Sequence, residues 1–530
     1  MSAVPPKVVS SFNVGIIGAG PTGLILAHLL SSHGIKTVLI DKETGPATEP
    51  RAVTIDDESL RIIQGTKVLP EILGSIVQGY GVHYYSWRKK LFAKIEPSSL
   101  EYGFSKRNAF RQQFLVKTLS DALKNDLCVQ LLFNHELTSF SQTENMVTME
   151  LLSSKGVSKI SVDYLIGCDG GHSKVRELLG VSLVGSSYSE KWLIVDLIGR
   201  KSKFKHTTTY CDPARPAIRL PGPESTLRYE FMLLKGESPE DVLNDKQLRR
   251  WIADIDPLDQ NLEILRKVIY TFHARLASKW RDHHVFLAGD AAHLTPPFAG
   301  QGMNSGVRDV SNLAWKLAAV IKGAANNKLL STYELERRPH AWSLIKMALR
   351  IGAFMQPKSI FGAFSTQSIL KLICLFPPAK DYILQLKFKP KPKFVEGFFV
   401  SENKSNETAT CGQLMPQPLL ETSSGSVILL DEVLGNNFSF IKWINTPTPL
   451  SIKKLNIKEL EVIRHDADFT EGYDSKLYYK DIEKVIGRVL DGSNAIGALL
   501  RPDRYICGFV RKGDNDLSKE LKSLIAQFIH

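Results

Sequence analysis

The chain has 530 residues, 43% of them hydrophobic and 23% charged, with a formal net charge of +12. This is ordinary globular composition, with apolar content for a sizeable core and more than one domain. It holds no apolar run of the about 18 residues that a membrane-spanning helix needs. MSAVPPKVVSSF at the N-terminus lacks the apolar core of a secretory signal, so a cytoplasmic protein with no integral membrane segment is expected. The cysteines (Cys128, Cys168, Cys211, Cys374, Cys411, Cys507) are scattered with no CxxC pair, which argues against a zinc or dithiol centre; no metal is expected. Lys and Arg are dispersed apart from KFKPKPKF, no nucleic-acid motif accompanies them, and most of the charge is read as a solvated surface.

In chain order, residues 13–17 (NVGII) predict a buried strand, followed at once by Gly18-Ala19-Gly20-Pro21-Thr22-Gly23. LILAHLLSSHG then carries helical spacing, and KTVLID is a second strand ending at Asp41. This is a βαβ unit with GxGxxG at its first turn. Gly18 allows the tight turn, Gly20 lets backbone approach a pyrophosphate, and Gly23 lets helix and strand pack closely. The helix N-terminus offers N–H groups and partial positive charge to phosphates, and Asp41 is placed to accept from ribose hydroxyls. The unit predicts dinucleotide binding without choosing between FAD and NAD.

Two distant segments make that choice. YLIGCDGGHSKVRELLG is a strand end followed by Asp169-Gly170, with Ser173, Val175 and Arg176 opening a helix. In HVFLAGDAAHLTPPFAGQGMNSGVRDVSNLAWKLAAVIKG, a buried strand ends at Gly289-Asp290. A Pro- and Gly-rich loop follows, then a long helix with Val307, Val310, Leu313, Ala314, Leu317 and Ile321 on one face. An Asp at a strand end can hold ribityl hydroxyls. A helix opening around Gly302, Met303 and Asn304 would stabilise the negative charge of a reduced flavin.

Together with PRAVTIDDESLRIIQ, YCDPARP, YEFMLLKGE, YELERRP and LLRPDRY, these segments resemble the single-component, FAD-dependent aromatic hydroxylases. This is the para-hydroxybenzoate hydroxylase and phenol hydroxylase group, and the likeness is greatest to its 3-(3-hydroxyphenyl)propionate branch. The resemblance implies hydroxylation of a phenolic ring with FAD, NADH or NADPH, and O2. It places Gly18, Gly20 and Gly23 on the FAD pyrophosphate and Asp41, where family members usually have Glu, on the adenosine ribose. It sets Arg51 in the flavin region and Gln112 and Asp290 along the ribityl chain. Asp169 is linked to both FAD and NAD(P)H, and Pro296 and Pro297 lie beside the isoalloxazine. His293 reads better as a packed histidine than as a base. Tyr210, Tyr229, His206 and Asp212 are candidates to draw off the phenol proton, each better read as structural, so no catalytic residue is assigned. For an acidic substrate, Arg215 or Arg219 is a candidate to bind its carboxylate.

The expected fold is α/β: a Rossmann-like FAD-binding domain over residues 1–385, assembled from 11–65, 105–180 and 275–345. A substrate-side β-sheet, roughly 70–105 and 180–275, is inserted in it. After ERRP a helical stretch runs to about residue 385. Its segment SIFGAFSTQSILKLICLF is read as a packing surface or dimer contact rather than a membrane surface. KFKPKPKF marks a linker at 386–394. Residues 395–530 resemble the thioredoxin-like C-terminal domain of the phenol hydroxylase group, which without CxxC is structural or oligomeric; a homodimer is a possible state. Competing readings are a flavin hydroxylase of polyketides, quinone precursors or antibiotics, and a flavin-binding protein that does not hydroxylate. A halogenase lacks its expected motifs here, and a flavin-free dehydrogenase leaves the Gly289-Asp290 segment unexplained.

Overall fold

The computed structural model describes residues 12–49, 51–200, 205–401, 410–444, 446, 448–449, 457–467, 478–514 and 517–529. The N-terminal stretch read above for a signal therefore lies largely outside the described residues. Short strands that are apolar throughout need cover on both faces, which favours a parallel sheet. Such a sheet runs Arg281–Asp282, Val285–Leu287, Gly156–Gly167, Phe12–Ile17, Thr37–Ile40, Val129–Leu132. Its centre is parallel, with Ile17 opposite Ile40 on one side and Gly167 on the other. The helices Pro21–Ser32, Gln112–Leu123 and Gly302–Ile321 pack around it in one core that includes Val14, Leu26, Leu119, Phe286 and Val310. The Rossmann-like architecture is thus built from strands far apart in the chain.

The second sheet runs His293–Leu294, Glu263–Ala277, Leu183–Ile198, Thr226–Met232, Ala217–Pro221, His206–Cys211, Gly81–Ser86, Leu91–Ile95. Side chains alternate between its faces. Leu193, Val195, Tyr229 and Phe231 point to one face, sealed by Leu248 and Ile252 of the helix Asp245–Ile255. Tyr84, Trp192 and Ile218 point to the other, toward Phe298 and Met355.

A helix over Lys328–Met355 starts well before ERRP and runs through Pro339. Ile360–Ile373 and Pro377–Leu384 follow, meeting at 113°. No single helix among the described residues is long and apolar enough to cross a membrane. The first of this pair buries only Ala363 and Gln367, whereas Phe361 is 80% exposed and Leu375, in the bend, 77%. The segment 386–394 is docked rather than free. Lys389 is taken inside to Glu58 at 2.7 Å and Asp56 at 3.1 Å, and Phe394 stacks on Tyr505 at 4.0 Å. Its run of like charges is relieved because those two carboxylates receive one of the lysines.

The C-terminal sheet runs Val427–Leu429, Leu419–Glu421, Tyr478–Asp481, Lys458–Ile463, Ser439–Trp443, Ala495–Leu500, Ile506–Arg511. Parallel pairs lie beside antiparallel ones, with the helices Val485–Gly492 and Lys519–Phe528 packed on it. This unit is tied to the rest by ion pairs as well as by apolar contact. Arg61 meets Asp431 at 2.7 Å, and Glu336 is bonded by Arg501 at 2.8 Å and by Lys316 at 2.7 Å. All of the Glu336 group are buried. Desolvation opposes ionisation of Glu336, but Arg501 and Lys316 outweigh it and hold the carboxyl at about 2. Removing one partner of such a cluster leaves uncompensated buried charge, which costs about 3–5 kcal/mol. Arg501→Met is expected to lower thermal stability by that order and to open the C-terminal unit to protease. A melting temperature within a degree or so of the parent would refute this.

Candidate functional site

The glycine turn has the geometry that its sequence requires. Gly18 sits at φ +107°, and a Cβ there would lie 2.4 Å from the Cys168 carbonyl oxygen. At Gly23 a Cβ would lie 2.0 Å from the Gly18 carbonyl oxygen, so helix and turn can close only over glycine. Gly20 differs: its backbone is extended and nothing lies within 4 Å of where a Cβ would stand. Its surroundings are open in front of the helix N-terminus. Asp41 accepts from Ala19 N at 2.6 Å and Glu43 N at 2.9 Å, which fixes the carboxylate at the edge of the turn.

The two distant segments converge on this turn. Cys168 N donates to Ile17 O at 2.7 Å, putting Asp169 next to Gly18. Asp169 Oδ2 accepts from Val175 N at 3.1 Å, while Oδ1 is enclosed without a partner, and burial raises the carboxyl. Arg176 donates to Gly171 O at 2.7 Å and Ala291 O at 3.0 Å, linking the Asp-Gly segment to the Gly-Asp segment. Both Gly289 and Gly306 press on Thr22 so closely that a Cβ would fall within 3 Å of its Oγ1.

Asp290 is exposed, yet the atoms packed around its carboxyl raise it by desolvation, against the pull of His293 and Arg51. Arg51 is itself exposed, paired with Glu49 at 3.3 Å, and its carbonyl accepts from Arg228 at 2.9 Å. Gln112 is buried, with Oε1 accepting from Ala52 N at 2.7 Å, so this side chain holds the Arg51 segment in place. Pro297 is exposed in the loop, and Gly302 and Met303 are half-buried at the helix start. Asn304 is fully buried and its side chain is committed. It donates to Gly300 O at 2.7 Å and Thr54 O at 3.1 Å and accepts from Ser59 Oγ at 2.7 Å.

Beneath the loop lies an ion network not anticipated from the sequence. His293 Nε2 meets Asp309 Oδ2 at 2.6 Å, and Arg337 Nε donates to Asp309 Oδ1 at 3.0 Å. His293 is therefore a packed histidine. Asp56, Asp57 and Glu58 bring three carboxylates together, but Arg308 and Lys389 answer their charge. Its only sequence signal is charge in RDV and ERR at helical positions that otherwise face the core.

A narrow cavity of about 20 Å³ lies between the loop and the second sheet, lined by Tyr84, Ile95, Arg107, Phe298, Met347 and Ile351 together with the polar Asp56, Gln301 and Lys389. The sequence candidates are elsewhere. Tyr229 lies on the opposite, helix-covered face and donates to Asp259 at 2.7 Å. Arg219 is paired with that same Asp259 at 2.9 Å. Arg215 bonds Glu237 and stacks on Trp251 at 4.0 Å, so neither arginine is left for a substrate carboxylate. Tyr210 packs with the Tyr229 face, His206 stacks on His83 at 3.6 Å, and Asp212 accepts from Ala214 N. Glu230 was missed. Register carries it across Ile218 and Thr209 to Tyr84, on the cavity-facing side. Burial, opposed by Arg228, pushes its carboxyl up to about 7.

Three variants test this geometry. Gly20→Ala is expected to fold with near-parental thermal stability, whereas Gly23→Ala should destabilise strongly because backbone must move. Because folded Glu230 holds its proton to about pH 7 while an unfolded glutamate ionises near its ordinary value of 4.5, native stability falls as pH rises through that window, by about 3 kcal/mol from this group. Glu230→Gln should gain stability relative to the parent between pH 5 and pH 8. A constant difference across that range would contradict the assignment.

Residues 11–348 match the family model described as an FAD binding domain, and 412–526 match the HcaD C-terminal domain. A protein of Burkholderia cenocepacia named 3-(3-hydroxy-phenyl)propionate/3-hydroxycinnamic acid hydroxylase is 35% identical over 509 residues, 93% of each chain. One of the same name from Shigella sonnei is 34% identical, covering 95% of this chain and 92% of its own. Among solved structures, the flavin-dependent monooxygenase PieE in complex with FAD and substrate superimposes with a TM-score of 0.79 at 19% identity, covering 98% of this chain and all of its own. Aklavinone-11 hydroxylase with FAD and aklavinone gives 0.78 at 20% identity, covering 97% and 98%. The chain belongs to the FAD-binding domain family and, within it, to the FAD-dependent aromatic hydroxylases.

Proposed function

We propose that this protein is an NAD(P)H-consuming, FAD-dependent monooxygenase that hydroxylates a phenolic acid of the 3-(3-hydroxyphenyl)propionate type. The observation that carries this reading is the near-full-length relation to hydroxylases of that name. The residues present fit FAD. The open surroundings of Gly20, the unpartnered Asp169 Oδ1 and the exposed Asp290 support this reading. In this reading Gly18, Gly20 and Gly23 shape the pyrophosphate turn and Asp41 holds the ribose. Arg51, Asp169 and Asp290 take the ribityl side, with Gln112 acting by fixing the Arg51 segment. Pro297 and the amides of Gly302, Met303 and Asn304 border the isoalloxazine.

When bound, the flavin supplies the redox chemistry, taking reducing equivalents from NADH or NADPH and delivering one oxygen atom of O2 to an electron-rich ring carbon. The protein's own part is to position the ring and exclude water. Phe298, edge-on to Trp192 at 5.8 Å and Phe272 at 5.5 Å, makes an aromatic wall from which water is displaced. Helix-start amides aimed at the loop favour negative charge there.

The free cysteines fit a reducing compartment, and we place the protein in the cytoplasm. Phe361, Phe364, Leu372, Leu375 and Phe376 are all exposed along Ile360–Ile373 and its bend, and we assign this apolar face to self-association as a homodimer. Phe361→Glu combined with Phe364→Glu should halve the mass seen by light scattering; an unchanged mass would remove that assignment.

The function is tested by the absorption spectrum of the purified protein and by NADH and NADPH oxidation with a panel of phenolic acids. A flavin spectrum is expected, with oxidation stimulated by 3-(3-hydroxyphenyl)propionate and a hydroxylated product. Stimulation only by polycyclic phenols would move the substrate to the polyketide class. Failure to hold FAD after reconstitution would refute the cofactor assignment.

A further inference from the structure

Arg107 precedes the short strand Asn108–Ala109, and its carbonyl accepts from Tyr80 N at 2.9 Å, so its backbone is fixed beside the start of the strand Gly81–Ser86. Its side chain lines the cavity formed with Tyr84, Ile95, Phe298, Met347 and Ile351. Its Nε is enclosed without a hydrogen-bond partner, and among the described residues the guanidinium makes neither a hydrogen bond nor an ion pair. Enclosed polar groups nearly always find partners, so the orphaned Nε of this partly buried side chain marks a donor open to a ligand. Desolvation correspondingly lowers the guanidinium's pKa, with Tyr84, Tyr80 and Asp56 opposing.

The other charges at this cavity are committed. Lys106 is matched with Glu101 at 3.6 Å. Lys389 bonds Glu58 and Asp56, and Asp56 is further bonded by Arg308. Arg107 is thus the cation among these lining residues with acceptor demand left over. Tyr84, Ile95, Phe298, Met347 and Ile351 give it an apolar and aromatic side, and the cavity, about 20 Å³ as it stands, must widen there to admit a ring. A guanidinium's planar fork matches a carboxylate through two parallel N–H···O bonds.

We infer that Arg107 is the carboxylate anchor of the substrate cavity, so that the preferred substrate is a phenolic acid held by its side-chain carboxylate with the ring toward Phe298. This rests on the phenolic-acid reading above and replaces Arg215 and Arg219 in the role considered for them from sequence. Arg107 is a specificity residue here: it holds the part of the substrate that does not react.

The test is calorimetric binding to the FAD-loaded full-length protein, with 3-(3-hydroxyphenyl)propionate and its primary amide as probes, so that it does not depend on turnover. The parent should prefer the acid by about tenfold or more. Arg107→Gln should weaken the acid by about 30-fold or more, as loss of one partner of a hydrogen-bonded charge pair does, while the amide stays within about twofold and the FAD content is unchanged. Arg107→Lys, which keeps the charge but not the fork, should fall between them. Equal weakening of acid and amide, or loss of FAD from both variants, would overturn the inference by making Arg107 structural or flavin-directed. If Arg107→Gln does not fold, a parent that fails to prefer the acid overturns it equally. Acid binding lost in Arg107→Gln, together with no phenol turned over by the parent, would uphold the anchor and reject the hydroxylation reading.

Discussion

The helix Gly302–Ile321 is the member on which the other parts register. Its apolar stripe is buried against the nucleotide-binding core, yet Arg308, Asp309, Asn312 and Lys316 are buried too. The three charges are met from the acidic segment, the strand His293–Leu294 and the long helix Lys328–Met355. Arg308 takes Asp56 and Glu58, Asp309 takes His293 and Arg337, and Lys316 takes Glu336, which also receives Arg501 from the C-terminal unit. Buried ions tolerate little displacement, because losing a partner leaves a charge in a poorly solvated place. The helix therefore sets the relative position of the glycine turn, the acidic segment, the long helix Lys328–Met355 and the last domain. Its own start carries the Gly300–Asn304 turn, so the loop proposed to border the flavin is fixed by the same lattice.

The cleft follows from that rigidity and from glycine. Contact between Thr22, Gly289 and Gly306 brings the first and last motifs together at a distance that any side chain would prevent. The Cys168–Ile17 bond and Arg176 bring in the middle motif. Within this close-packed junction, the surroundings of Gly20 remain open. The second sheet packs against the loop through Phe298. Only its Tyr84 face is turned to the loop, and the opposite face is spent on the helix Asp245–Ile255.

That division explains where sequence reasoning succeeded. The parallel sheet, its glycine turn, the two later fingerprints and the C-terminal unit were legible, because each rests on local chemistry: apolar runs, turn glycines, helical spacing. The long helix was legible only in part, since Pro339 reads as a break and is in fact accommodated within the helix. In the substrate-side sheet alternation showed that one face would cover a pocket but not which one. Tyr229 and Glu230 are neighbours in sequence, and one residue of register separates a tyrosine sealed under a helix from a carboxyl on the cavity side. Arg215, Arg219 and Arg107 are likewise indistinguishable as letters. Two have carboxylate partners, Glu237 and Asp259, brought near by the fold, and the third has none among the described residues.

By itself, then, the amino-acid sequence determined the architecture and the path expected for the dinucleotide, since turn, strand and helix-cap requirements act over a few residues. The tertiary structure alone decided which charges are neutralised and which remain available, because pairing of buried ions depends on elements far apart in the chain: Arg308 with Glu58, Arg501 with Glu336, Lys389 with Asp56. The free energy of a buried charge is a property of its surroundings, and for Arg107, Glu230 and Asp290 those surroundings exist only after the chain has folded.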